Sequence, residues 1–173
     1  MIEIRFPDKT IKKFPKGITP FEIAKTISEG LARNILVARI NNNIVDTNKV
    51  IQSNKIVDLE LITWDQVEGK NAMWHSSAHL MAEAIESFYP HAKLTIGPAI
   101  ENGFYYDIDF PKNINFSSED FPIIENKMME LAKKKNKYII SKVSKKDALK
   151  HYTIRKNKFK IELINELNDE RLL

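Results

Sequence analysis

The chain of 173 residues contains no cysteine, which excludes disulfide frameworks and thiolate metal sites. No apolar run approaches the length of a membrane span, and no basic N-terminal segment leads into such a run as a secretory leader would require. A cytoplasmic location away from membranes is the expectation. What is present, 43% hydrophobic and 29% charged residues, is the composition of a globular chain with one domain or two small ones, and excludes fibre and disorder.

Charge of either sign is modest in total, with a net +4, but it is unevenly distributed. Residues 63 to 110 carry two Lys and seven acids, whereas residues 111 to 160 carry fourteen Lys or Arg and five acids. Such asymmetry suits a surface that meets a polyanion such as RNA, and equally a lysine-coated solvated helix.

The first sixty residues predict a compact unit. Ile2, Ile4 and Phe6 alternate with Glu3 and Arg5, Pro7-Asp8-Lys9 turns, and Thr10 to Phe14 returns, giving a β-hairpin. Thr19-Pro20-Phe21-Glu22 carries a capping box with Pro at the first helical position, and Gly30 marks a possible helix exit. Phe21, Ala24 and Ile27 or Ser28 would face the hairpin. Strands are predicted over 35–40 and 55–62, with a turn at 41–43 between them. The order ββαββ is that of a β-grasp, ubiquitin-like module spanning residues 1–62. It contains no catalytic constellation, so docking or binding is the expected role.

Residues 63–70 break the pattern and predict a linker. Beyond them Asn71 can cap a helix in which Trp74, Ala78, Met81, Ile85 and Phe88 form a core-facing stripe ended by Pro90. His75 and His79, four residues apart, occupy the row beside that stripe. The pair is either a site at the edge of the core or two satisfied boundary histidines. Zinc is not expected there. The zinc-protease helix needs Glu directly after the first His, where Ser76 stands, and a metal would need a third ligand from elsewhere.

Downstream, Lys93 to Ile96 reads as a strand, Gly97-Pro98 as a turn, and Asn102-Gly103 as a hairpin signal. Alternation then places Phe104, Tyr106 and Ile108 on one face and Tyr105, Asp107 and Asp109 on the other. A helix is predicted over 119–135, acidic at its start and lysine-rich at its end. A strand over 138–143, a short helix after Ser144 and an amphipathic segment over 160–167 follow. The fold class is α+β.

Taken together, the β-grasp order, His75-Ser-Ser-Ala-His79-Leu-Met-Ala, Ile96-Gly-Pro, Asn102-Gly-Phe-Tyr-Tyr-Asp107 and Glu119-Asp120 resemble the N-terminal half of threonyl-tRNA synthetases. The resemblance covers essentially the whole chain. It implies a TGS domain over 1–62 and the first part of a tRNA-editing domain over 71–173. In this family the editing domain hydrolyses serine wrongly attached to tRNA(Thr).

Carried onto matching positions, the resemblance implies that His75 and His79 bind the aminoacylated adenosine and place a water. It implies that Tyr106 lines the amino-acid pocket and that Lys160 is the editing lysine. The family's further Cys-x-x-x-His segment is not met before Leu173, nor is the class II aminoacylation core with its ATP, magnesium and zinc. The expectation is therefore an N-terminal fragment that binds no cofactor itself, belonging to an enzyme that is homodimeric when full-length. Its expected partners are tRNA(Thr) and mischarged seryl-tRNA(Thr). Two other readings stay open: a free-standing trans-editing protein, and a non-catalytic β-grasp module that binds RNA or regulates.

Overall fold

The computed structural model describes residues 1–136, 138–139, 141–167 and the backbone of 171–172. They fall into two compact units, 1–75 and 76–173, each with its own core.

In the first unit, β1 (Ile2–Arg5) pairs antiparallel with β2 (Ile11–Phe14), as the alternation and turn predict. Then α1 (Pro20–Ile27) starts on the capping box: the Thr19 hydroxyl accepts from the Glu22 amide, and the Glu22 carboxylate accepts from the Thr19 amide. Its buried face is Pro20, Ile23 and Ala24, a correction to the expected one, since Phe21 and Ile27 are exposed. Gly30 does not end a helix either. Ser28 caps a second helix, α2 (Glu29–Asn34), with Gly30 in its first turn.

Next come β3 (Val37–Ile40), β4 (Asn43–Val45) and β5 (Val57–Ile62). The residues between β3 and β4, Asn41 and Asn42, both have positive φ, which asparagine tolerates better than most residues. The short β4 was not expected. The sheet order is β2-β1-β5-β3-β4, with β1 and β5 parallel, the arrangement of a β-grasp domain. Ile2, Ile4, Phe14, Ile23, Val57 and Leu59 form its core.

The helix α3 (Val67–Phe88) begins inside the stretch expected to be a linker, and the boundary between the units falls within it, after His75. Gly69 permits the early start. A methyl carbon there would fall 1.8 Å from the Thr63 carbonyl oxygen, so only glycine lets the first turn fold back onto the end of β5. Glu68 of the same turn pairs with Arg39 of β3.

In the second unit the far half of α3 buries Ala78, Ala82, Ala84 and Ile85, while Phe88 is exposed, a departure from the predicted stripe. Short β6 (Lys93–Leu94) and β9 (Ile108–Asp109) pair antiparallel, as do β7 (Ala99–Ile100) and β8 (Gly103–Phe104) around a Glu101-Asn102 turn, one residue before the expected Asn102-Gly103. A 3-10 turn over Ser118–Asp120 leads into α4 (Phe121–Lys134), with Lys133 and Lys134 in its last turn. Tyr89 donates to the Asp120 carboxylate at 2.7 Å, and Ile124 and Leu131 pack on Ala84 and Ile85.

The strand expected over 138–143 is not found at Tyr138, Ile139, Ser141 or Lys142, and Ile140 lies outside the described residues. Pairing is seen for β10 (Val143–Ser144) with β11 (Arg171–Leu172). Capped by Ser144 and Asn157 respectively, α5 (Lys145–Ile154) and α6 (Lys158–Glu166) complete the unit. Among the described residues no helix is long and apolar enough to cross a membrane.

Candidate functional site

One face of α3 presents His79, Glu83 and Glu86, spaced four and then three residues apart, so helical geometry stacks them in a row. They form one wall of a cleft of about 540 Å³ within the second unit. Facing it are Lys93 and Leu94 of β6, Tyr106 before β9, Tyr152 and Arg155 from the end of α5, and Asn157 and Lys160 from the start of α6, with the residues that follow α3 closing one end.

Lys160 is tethered at its tip. Its ammonium donates to the Thr95 carbonyl at 2.6 Å, beneath a cleft that leaves the side chain only partly exposed. Burial pushes its pKa below the ordinary lysine value, and the nearby Glu86 carboxylate opposes that shift. Asn157 sets its position. The Asn157 amide oxygen accepts from the Lys160 backbone N–H at 3.1 Å, and its amide nitrogen donates to the Leu94 carbonyl at 3.3 Å. It is the buried polar side chain of the described residues, and both its ends are used.

Tyr106 is half-buried as alternation predicts, with Tyr105 and Asp107 exposed on the opposite face. Its hydroxyl pKa is raised, first by burial, then by Glu86 and Tyr152. Lys93 donates to the Arg155 carbonyl at 3.0 Å, at the negative end of α5.

Of the four candidates, His79, Tyr106 and Lys160 therefore line one cleft. His75 stands one helical turn before His79 in α3, within the first unit, and is exposed. Glu83, Glu86, His91, Tyr152, Arg155 and Asn157 also line the cleft and were not foreseen. The spacing of His79, Glu83 and Glu86 could have revealed the first two. Tyr152, Arg155 and Asn157 depend on how α5 and α6 return to the β6–β9 pair, whereas His91 follows directly on α3. Among the described residues no three His, Asp or Glu side chains gather as a metal would need.

A second cleft of about 540 Å³ is walled by Asp107, Asp109, Glu162 and Glu166 and holds none of the four candidates. Four carboxylates suit it poorly to an anionic substrate. The first cleft, with Lys93, Arg155, Lys160 and two imidazoles against two carboxylates, can hold a polar ligand carrying both charges.

Comparison with known proteins gives this geometry a context. Residues 2–60 match the TGS domain family. The chain is 51% identical over 169 residues to a threonine–tRNA ligase of Cytophaga hutchinsonii, covering 98% of this chain and 26% of that protein. It is 45% identical, again over 98% of its length, to those of Flavobacterium psychrophilum and Porphyromonas gingivalis, covering 25% and 26% of them. The chain thus spans about a quarter of the length of the curated relatives it matches.

Proposed function

We propose, on the premise that this chain corresponds over its length to the N-terminal region of threonine–tRNA ligases, that it supplies tRNA contact and hydrolytic proofreading to such an enzyme. Aminoacylation itself, with its class II core and its ATP, magnesium and zinc, is assigned to sequence outside these residues.

The chemical need is specific. Threonine exceeds serine by one methyl group, and a hydrophobic pocket discriminates one missing carbon by only about 1–3 kcal/mol. A second site that hydrolyses the wrong ester supplies the remaining accuracy. Its substrate is serine esterified to the 3′-terminal adenosine of tRNA(Thr).

In the cleft, Lys160 spends one of its three N–H donors on Thr95 and keeps two. These can lie on the ester carbonyl and hold the negative charge that develops as water adds. His79 holds that water and takes its proton. The bond from water oxygen to the acyl carbon forms, the acyl bond to the ribose oxygen breaks, and the proton passes to the leaving oxygen. Serine and a free 3′-hydroxyl result. Tyr106 lines the amino-acid pocket, and His75 is assigned to the adenosine.

The observation that supports this reading is the meeting of His79, Tyr106 and Lys160, from three separate segments, in one cleft. Incubation of the chain with seryl-tRNA(Thr) tests it. Deacylation that His79→Ala abolishes supports the proposal, and its absence from the unaltered chain overturns it.

A further inference from the structure

Gly97 lies in the connection between β6 and β7, and its φ is not in the left-handed region, so backbone conformation does not demand glycine there. Neither does a turn, although the Gly97-Pro98 dipeptide suggested one; the connection is irregular. The demand comes from Tyr106. A methyl carbon on Gly97 would sit 2.3 Å from Cδ2, 2.5 Å from Cε2 and 3.0 Å from Cγ of the Tyr106 ring. The ring therefore lies directly against the Gly97 backbone.

Neither partner can yield without moving the cleft. The Asp107 amide donates to the Ile96 carbonyl at 3.0 Å and the Thr95 amide to the Asp107 carbonyl at 3.1 Å, which pins the backbone next to both residues. The clash would fall on ring atoms close to Cβ, where no flexible end can swing away. A turn of the ring about its own Cβ–Cγ axis would leave Cγ at 3.0 Å, so full relief requires the side chain as a whole to move, and with it the part of the cleft wall that Tyr106 supplies.

We propose that Gly97 is a positioning residue of the cleft: the absence of its side chain holds Tyr106 in the orientation that shapes the amino-acid pocket. The inference rests on the proofreading reading above. It predicts that Gly97 acts through Tyr106 alone.

The experiment measures binding of a non-hydrolysable amide analogue of seryl-adenosine, and deacylation of seryl-tRNA(Thr), by the chain and by Gly97→Ala, Tyr106→Ala and the double variant. Gly97→Ala is expected to weaken both by about tenfold to a hundredfold, the range for a site group displaced by about an ångström. In the Tyr106→Ala background the same change should have little further effect, because the atoms it would strike are gone. Equal losses in both backgrounds, or no loss in either, would overturn the proposal.

A role of Gly97 that does not run through the Tyr106 ring predicts equal losses. If the unaltered chain neither binds the analogue nor deacylates seryl-tRNA, the proofreading reading fails. Gly97 is then judged by the ring carbon signals of Tyr106 in carbon-13 NMR, identified with Tyr106→Phe. Displacement of those signals by Gly97→Ala supports the positioning role, and unmoved signals overturn it.

Discussion

Lys160 donates to the Thr95 carbonyl at 2.6 Å, and this bond holds the first turn of α6 against the strand that leads to Gly97 and the Tyr106 ring. Burial favours the neutral amine, so the proton leaves below the ordinary lysine value of 10.5. If the ammonium holds the developing oxyanion, deacylation should decline as pH rises through that lowered value. Lys160→Arg keeps its charge at any accessible pH, so its alkaline decline should vanish even if its rate is lower throughout. A pH–rate profile of both proteins checks this. Stability runs the other way: between the folded and unfolded values the unfolded chain binds more protons, so stability rises with pH across that window.

Asn157 gives a second, separable prediction. Replacement by Ala removes the cap on α6 and leaves the Leu94 carbonyl without its donor, at a cost of about 1–3 kcal/mol in urea unfolding. Asn157→Asp keeps the acceptor for Lys160 but sets a carboxylate oxygen against the Leu94 carbonyl. At neutral pH Asn157→Asp should therefore still be less stable than the parent chain in the same urea unfolding, because the cap is kept and the Leu94 contact is not; stability equal to the parent's would refute the geometry.

The uneven legibility of the sequence has physical causes. Capping at Thr19 and Glu22 and alternation around Tyr106 are local, and each formed as read, while the hairpin signalled at Asn102-Gly103 turns one residue earlier, on Glu101-Asn102. Failures came where a distant neighbour decides. Gly30 and Gly97 look alike as punctuation, yet the first sits in a helix and the second answers to a ring nine residues on. Gly69 concealed the true start of α3 for the same reason. In the cleft, the residues on α3 were legible as a helical row. Asn157 and Arg155 were not, because their place depends on α5 and α6 packing against β6.

The β-grasp core should respond independently of the cleft. Ile23 is fully buried in α1 against Ile4 and Leu59, so Ile23→Ala leaves a cavity and should cost about 2–5 kcal/mol. Thr19→Ala removes the cap alone and should cost about 1 kcal/mol. Hydrogen exchange resolved by residue would locate both losses in residues 1–75.

Contact with tRNA should depend on a subset of the lysines rather than on their total. Lys127 and Lys134 of α4 both pair with Glu130, whose carboxyl they hold down to about 2, so at neutral pH much of their charge is already answered. Lys145 is likewise committed, donating to the carbonyls of Asn165 and Leu167. Lys146 and Lys150, four apart on α5, are exposed on one helical face, a spacing that can follow phosphates. Each phosphate contact contributes about −0.9 to the slope of log affinity against log salt on duplex nucleic acid. Replacing both lysines with Gln should therefore make the slope for tRNA shallower by up to about two. Replacing Lys145 should change it little. Filter binding across a salt series measures both, and an unchanged slope in the double variant would remove α5 from the RNA-binding surface.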